Sequence, residues 1–299
     1  MDRAPGRRAV MRRGRTTMSI RMIATLAVAI LLGLIAVLLV RGVLNAQRTA
    51  AISSLVPSAG SVPVVVAAEP IARGQALEPE KLKAMALERD KLGFQLAFHA
   101  IGDRANRVAL DVFESVVRVN GTRDRRDRIE HAQVVAPEDM ARFGTLHVIA
   151  SMQPSHQSND MRWAEQRVGP ERIKGAYAWN SIQKSGATLA FGTDYDVEAI
   201  NPFRGLYACI TRELPEGGPS GGWQPQEKIS LDDCIRAYTI GSAYAQFEEG
   251  RKGDLKVGKY ADFIILSQDL TKATPKEILN MEVLQTVVGG RTVYKAAPK

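Results

Sequence analysis

Short apolar runs alternate with helical segments over the last two thirds of the chain, and this alternation restricts the fold more than any other feature of the sequence. Strands are predicted over residues 95–99, 128–132, 147–151 and 188–192. A helix between two strands returns the chain to the end of the sheet where it started, so such strands run parallel. We therefore expect an α/β domain over residues 91–249.

Helices are predicted between and after these strands. Small apolar residues recur at i, i+4, i+7 and i+11 from Ala105 onward, which predicts an amphipathic helix over residues 104–119. A second helix is expected over residues 137–144, because a proline opens it and a glycine ends it. The Ser-x-x-Asp capping signal at residues 230–233 predicts a third helix that continues to about residue 238.

The pattern changes after Gly250 to short β-strands. These strands are predicted over residues 261–266, 284–288 and 292–295. Gly289-Gly290 lies between two apolar runs and predicts a hairpin. We assign residues 250–299 to a small β-rich segment.

Two further features lie between these regions. Residues 215–225 contain four glycines and three prolines, which predicts a mobile loop. Cys209 and Cys234 are 25 positions apart, without a Cys-x-x-Cys spacing or a nearby histidine. We expect both to be small apolar residues in helices.

The N-terminal region predicts a membrane anchor. Residues 22–40 form an uncharged apolar run of nineteen residues, which would span about 28 Å as a helix, close to the ~30 Å core of a bilayer. The run is longer than the apolar stretch of about 7 to 15 residues in a cleavable signal peptide, so an uncleaved anchor is favoured. Residues 41–61 are expected to form a spacer after it.

The charge distribution predicts the orientation of that anchor. Residues 1–21 carry seven arginines and one aspartate, so +6 of the net charge of +8 lies there. The positive-inside rule then predicts a single-pass protein of the bacterial inner membrane, with residues 1–21 cytoplasmic and the part after residue 41 periplasmic or otherwise extracytoplasmic. The rest of the chain is nearly neutral, which argues against a nucleic-acid partner.

Three polar residues follow the predicted strands and could carry chemistry. His99, His131 and Asp194 each stand at the C-terminal end of a strand, and parallel strands of a barrel place such residues at one mouth. Imidazole and carboxylate groups together suit zinc, and a carboxylate beside a metal can act as a base. Two alternatives stay open at this point: both histidines could be hydrogen-bonded in the core, and Asp194 could cap a helix.

Five phrases, in order, resemble one known family. They are Phe-His99-Ala-Ile-Gly-Asp-Arg-Ala105, Arg-Ile-Glu-His131-Ala-Gln133, Ser-Met-Gln-Pro-Ser-His156, Phe-Gly-Thr-Asp194 and the run from Gly253 to Tyr294. These phrases are similar to the C-terminal half of YtcJ-like amidohydrolases of amidohydrolase family 3. The resemblance implies a TIM-type (β/α) barrel with a small β-sandwich, of which this chain has strands 5–8, about four of eight units.

The same resemblance implies an activity and a set of site residues. Family members are metal-dependent hydrolases that cleave carbon–nitrogen bonds, mostly amides other than peptide bonds. By resemblance, His99 and His131 bind zinc or another divalent metal, and Asp194 is both ligand and general base. His156 and Arg104 are then candidates for contact with a small-molecule amide substrate.

Residues before the half barrel resemble a different family. The anchor, the spacer and the Val-Pro-Val-Val-Val-Ala-Ala run at residues 62–68 are similar to CpaB/RcpC-type Flp pilus assembly proteins, in which such a run opens a SAF domain. The similarity ends near residue 88, so residues 62–90 are interpreted as a truncated SAF-like segment. The two resemblances together suggest a chimera joined near residues 86–92.

The sequence also lacks parts of the implied site. No histidine precedes His99, so the His-x-His pair of the first barrel strand has no counterpart. A half barrel would have two open edges, through which we expect self-association. Three functions follow: a membrane-tethered hydrolase with one metal and impaired activity, a pilus assembly protein, or an inactive chimera of the two.

Overall fold

The computed structural model describes residues 78–297. The helices are α1 (Pro79–Lys91), α2 (Asp103–Asn120), α3 (Pro137–Thr145), α4 (Pro154–Asp160), α5 (Ala164–Arg172), α6 (Trp179–Lys184), α7 (Phe203–Thr211), α8 (Leu231–Arg236), α9 (Ser242–Ala245) and α10 (Pro275–Leu279). The strands are β1 (Ala97–Ala100), β2 (Arg128–His131), β3 (Ile149–Met152), β4 (Leu189–Phe191), β5 (Phe263–Leu266), β6 (Val283–Val288) and β7 (Arg291–Lys295). A π-helical turn, Ala237–Gly241, joins α8 to α9.

Strands β1 to β4 form one parallel sheet in chain order, which confirms the predicted α/β fold. Ala100 pairs with His131, and Met152 pairs with Phe191. The carboxyl ends of all four strands therefore lie along one edge. This edge receives the residues that follow each strand.

The sheet has one face covered by helices. In α2 Ala109, Val112 and Val116 are buried, as the sequence predicted, whereas Ala105 in the first turn is exposed. Phe113 lies with its ring centroid 4.9 Å from that of Phe98 on β1. Phe98, Ile129, Ala150 and Leu189 occupy paired positions on the four strands, so they point to the same face. This shared row forms the base of the main core.

The two outer edges of the sheet differ from each other. At β4, Ser242 Oγ donates to the carbonyl of Phe191 at 2.9 Å, and Gly241 lies so close to the Leu189 carbonyl that a Cβ there would be 2.1 Å away. The π-helical turn thus covers this edge, and the expectation of two open edges is wrong for β4. At β1, no backbone hydrogen bond from the described residues reaches the outward groups of Ala97 and His99.

Helix α1 is joined to the sheet by one buried carboxylate. The Asp90 side chain is 1% exposed and accepts hydrogen bonds from Arg125 at 2.7 and 3.0 Å, from Arg123 at 2.7 Å and from Asn120 at 2.9 Å. Burial raises the pKa of Asp90, but these hydrogen bonds outweigh it and leave the pKa below its usual value. The network crosses the boundary that we predicted between residues 90 and 91, and the domain boundaries themselves stay predictions.

The C-terminal strands β5, β6 and β7 form a separate antiparallel sheet, as predicted. Gly289 and Gly290 connect β6 to β7 with φ values of 56° and 76°, a left-handed backbone that glycine adopts at low cost. The predicted cap is also present, because Ser230 Oγ accepts the Asp233 N–H at 3.0 Å and α8 begins at the next residue. Residues 215–224 contain neither helix nor strand.

The two cysteines form a disulfide, which corrects the sequence interpretation. Cys209 lies in α7 and Cys234 in α8, so the predicted helical setting is confirmed. Both side chains are fully buried and joined to each other. A separation of 25 residues carries no pairing signal, because the contact arises only when α7 and α8 pack together.

The predicted anchor over residues 22–40, the spacer and most of the SAF-like segment lie outside the described residues. Among residues 78–297 there is no helix long and apolar enough to cross a membrane.

Candidate metal centre

Three side chains converge at the carboxyl edge of the parallel sheet. Ligand atoms of His131, His156 and Asp194 all lie within 4.8 Å of one another. His131 ends β2, His156 lies in the first turn of α4, and Asp194 follows β4 in the next loop. Strand ends and the loops after them therefore assemble the group, as the parallel topology predicts.

His131 is held by a hydrogen bond that also favours one tautomer of its ring. The ring Nδ1 lies 2.8 Å from Oε1 of Gln153, a buried residue directly before α4. An amide oxygen only accepts, so this contact favours the tautomer with the proton on Nδ1, which leaves Nε2 as the ligating nitrogen. The backbone at His131 is left-handed, with φ 76°, which ends the strand at this point. His131 is thus prepared to ligate a metal through Nε2.

His156 has a buried nitrogen without a partner. Its Nε2 is inaccessible to solvent and receives no hydrogen bond from the described residues. Burial lowers the pKa of the His156 imidazole, while the nearby Glu198 and Asp194 carboxylates raise it only in part. A neutral imidazole with an orphaned nitrogen is the state that binds a metal ion.

Asp194 completes the group from an exposed loop. Its backbone is left-handed, with φ 56°, and its carboxylate accepts no hydrogen bond from the part of the chain that the structure describes. The helix-cap alternative is wrong, because the next helix, α7, begins at Phe203 and its N–H donates to Asn201 Oδ1 at 2.9 Å. The Asp194 carboxylate is therefore available to a ligand.

The loop with Asp194 is tied to α4 by a chain of polar contacts. Asn159 donates to Glu198, which lies four residues beyond Asp194, and Arg204 donates to the Asn159 side-chain oxygen at 2.9 Å. These contacts join the loop after β4 and the start of α7 to the helix that carries His156. They keep Asp194 beside His156.

His99 lies beside the group but is not a member of it. Its ring centroid is 4.5 Å from that of His131, edge to face, and the His131 and His156 rings are 5.9 Å apart. The His99 side chain is exposed, so the alternative of a core histidine does not fit it. Arg104 is also exposed, in the first turn of α2. The roles of His99 as a ligand and Arg104 as a substrate contact stay predictions.

Sequence reasoning gave no role to Asp160, the last residue of α4. Its Oδ2 accepts the Tyr177 hydroxyl at 2.5 Å and also accepts Gln133 Nε2. Burial raises the pKa of Asp160, and the hydrogen bond from Tyr177 lowers it in part. The available signal was its spacing, because Asp160 is four residues after His156 in a short helix.

The chain matches known proteins over most of its length. The amidohydrolase family model matches residues 15–294. The protein LONG AFTER FAR-RED 3 of Arabidopsis thaliana is 42% identical over 221 residues, which are 74% of this chain and 37% of that protein. The putative amidohydrolase YtcJ of Bacillus subtilis is 31% identical, over 74% of this chain and 41% of that protein. The N-substituted formamide deformylase of Arthrobacter pascens is 26% identical, over 71% of this chain and 38% of that protein.

A solved structure supports the same assignment. An uncharacterized metal-dependent hydrolase from Pyrococcus horikoshii aligns with a TM-score of 0.59 at 32% identity, over 67% of this chain and 39% of that chain. The described residues thus correspond to a fragment of a TIM-type barrel fold. The chain spans about two fifths of the length of the curated relatives that it matches. From the family match and these relatives together, the chain belongs to the amidohydrolase family.

Proposed function

We propose that this protein is a metal-dependent hydrolase that cleaves carbon–nitrogen bonds in small-molecule amides other than peptides. The convergence of His131, His156 and Asp194 within 4.8 Å carries the proposal. One relative is named as a deformylase of N-substituted formamides, which supports this class of bond.

The donor set fits a catalytic divalent ion, zinc above all. Two imidazoles and one carboxylate are a donor set that catalytic zinc sites use, with a further position left for substrate or water. The orphaned Nε2 of His156 and the prepared Nε2 of His131 agree with this set. When bound, the ion supplies Lewis acidity, which polarises a substrate carbonyl and acidifies a water molecule.

Residues of the chain position the ligands and transfer the proton in the proposed reaction. Gln153 holds the His131 ring, and Asn159 holds the loop of Asp194. Asp194, at the exposed mouth, takes a proton from the attacking water and delivers it to the departing nitrogen. A C–O bond forms and the C–N bond breaks, so the products are a carboxylic acid and an amine.

His99 has a separate role in this proposal. It lies 4.5 Å from His131 by ring centroids, so in this proposal it contacts the substrate beside the ligand set. Since no histidine precedes His99, we expect the chain alone to hold one ion and to work below the rate of a two-metal enzyme.

We also propose that the described part functions outside the cytoplasm. The Cys209–Cys234 disulfide supports this placement, because such bonds persist in oxidising compartments. It agrees with the orientation predicted from the arginines before residue 22, and anchoring through residues 22–40 remains part of the proposal.

The reaction is tested on the full chain in detergent solution. The protein is stripped with a chelator, reloaded with zinc and given a panel of N-monosubstituted formamides, with formate release as the readout. Zinc should restore formate release, and Asp194→Asn should lower kcat by about 10² to 10⁴. Asp196→Asn, in the same loop and also exposed, is the matched control and should change little. Activity that survives chelation, or that Asp194→Asn leaves intact, contradicts the proposal.

A further inference from the structure

Asp160 lies on the same side of α4 as the candidate ligand His156. The two residues are four positions apart in a helix that spans Pro154–Asp160. Side chains at i and i+4 of an α-helix lie one above the other on one face, about 6 Å apart. The Asp160 side chain is therefore about one helical turn from that of His156, and its carboxylate is among the charges that act on the His156 imidazole.

The two oxygens of Asp160 have different surroundings. Both protein donors, the Tyr177 hydroxyl and the Gln133 amide, bind Oδ2. Among the described residues no donor reaches Oδ1. An ionised carboxylate has about four lone-pair positions in total, so Oδ1 remains an open acceptor.

The two anchors are themselves fixed in position. Tyr177 is 2% exposed, its N–H donates to the Gln133 carbonyl at 2.8 Å, and its own carbonyl accepts from Arg212 at 2.9 Å. Gln133 is two residues beyond His131 on the same segment. Asp160 is thus held in a set position relative to His131, as an orienting group needs to be.

We propose that Asp160 Oδ1 accepts a hydrogen bond from an N–H of the bound amide and so orients the amide at the metal centre. This inference rests on the proposed function and adds a substrate class to it. Amides that keep an N–H, primary or N-monosubstituted, are accepted. N,N-disubstituted amides leave the carboxylate without its partner and are disfavoured.

The variant Asp160→Asn tests this role because both anchors are donors. They hold the asparagine oxygen in the place of Oδ2, so the NH₂ group takes the open position. The asparagine NH₂ is a donor where Asp160 Oδ1 is an acceptor, so it repels the N–H of a bound amide. The variant keeps the shape of the site and replaces an acceptor by a donor.

Two hydroxamates serve as probes of the zinc-loaded full chain. Acetohydroxamate binds zinc through two oxygens and keeps an N–H, whereas N-methylacetohydroxamate has the same oxygens and lacks it. The dissociation constants of both probes are measured by calorimetry. The dissociation constant of N-methylacetohydroxamate divided by that of acetohydroxamate is then compared between wild type and Asp160→Asn. This comparison cancels any intrinsic difference between the probes. Zinc affinity is measured for each variant.

We expect the ratio in Asp160→Asn to fall about tenfold or more below the wild-type ratio, with zinc affinity unchanged. Glu165→Gln, an exposed carboxylate shortly after α4, should keep the wild-type ratio. If Asp160→Asn does not fold, Tyr177→Phe replaces it: loss of one anchor should lower the ratio, and an unchanged ratio overturns the inference.

The outcomes separate this inference from the function on which it rests. Zinc and hydroxamate binding with equal ratios in wild type and Asp160→Asn overturn the role of Asp160 and leave the metal centre standing. A wild-type chain that binds no zinc overturns the proposed function itself.

Discussion

At the scale of single residues, Gln153 orients the ring of His131, a candidate metal ligand. Its side-chain oxygen lies 2.8 Å from His131 Nδ1 and directs the other ring nitrogen toward the site. Partners of this kind raise the basicity of a ligating histidine and fix its orientation. The chemistry of His131 therefore depends on a residue that touches neither metal nor substrate.

Replacement of Gln153 by Ala should lower zinc affinity by about 10- to 100-fold, because the His131 ring loses its orientation. Gln153→Glu keeps an acceptor oxygen and should retain most of the affinity. The measurement is competitive zinc titration of the purified chain. Gln166→Ala, exposed on α5, is the control. Equal affinity of Gln153→Ala and wild type would contradict the proposed role.

Asp127, just before β2, is a second residue whose environment matters, because its burial makes the stability of the protein depend on pH. Its Oδ1 accepts the Leu96 N–H at 2.8 Å. Burial raises the pKa of Asp127 to about 6, and the Leu96 N–H lowers it in part. Between about pH 4 and pH 6 the folded state holds a proton that the unfolded state has lost, so this carboxyl reduces stability as pH rises through that window.

Asp127→Asn should therefore stabilise the protein at pH 7.5, by at most about 3 kcal/mol, and much less near pH 4. Asparagine keeps the acceptor for Leu96 and removes the charge. Urea unfolding at both pH values measures the difference. Asp124→Asn, at a carboxylate that is 57% exposed, is the control. A stabilisation of equal size at pH 4 and pH 7.5 would refute the assignment.

At the scale of elements, the disulfide between α7 and α8 closes the loop that contains residues 215–225. Cross-linking residues 25 positions apart restricts the unfolded chain by about 3 to 4 kcal/mol in the chain-entropy description. Helix α7 also carries Arg204, which contacts Asn159 beside the metal centre. Stability of this helix pair therefore supports the site.

Reduction of the Cys209–Cys234 bond should lower the midpoint of thermal unfolding, because the unfolded state gains conformational freedom. The measurement compares oxidised protein with protein refolded in reductant. A Cys209→Ala/Cys234→Ala double variant should show no response to reductant. If oxidised and reduced wild type unfold at the same midpoint, the disulfide does not contribute as described.

The sequence predicted the elements well where the signal is local. The four parallel strands were predicted from apolar runs, and Ser230 and Gly289-Gly290 from caps and turns, because each signal acts within a few residues. The disulfide and the cover over β4 were not predicted, because each joins elements distant along the chain. Only packing brings those elements together.

The metal centre was predictable only in part for the same reason. Position at a strand end singled out His131 and Asp194, but it singled out His99 as well, which lies beside the group and is not a member of it. His156 comes from α4, and its distance to His131 depends on the turn of the chain after β3, which no periodicity reveals. Gln153 and Asp160 stand within or next to the quoted phrases, but their roles follow from contacts in space.

At the scale of the whole molecule, the carboxyl edge of one four-stranded parallel sheet carries the entire candidate site. The outer edge of β1 remains without a strand neighbour among the described residues, and self-association through it stays a prediction. The chain covers 37% to 41% of its first curated relatives, so its own residues have to be tested for metal binding directly.

Zinc content of the purified full chain tests the central claim most directly. We measure it by elemental analysis in wild type and in His131→Ala, His156→Ala and His99→Ala. The structure predicts about one equivalent in wild type, loss of most of it in His131→Ala and His156→Ala, and retention in His99→Ala. Absence of stoichiometric zinc in wild type would contradict the metal centre. Loss of zinc in His99→Ala with retention of zinc in His156→Ala would contradict the ligand set of His131, His156 and Asp194.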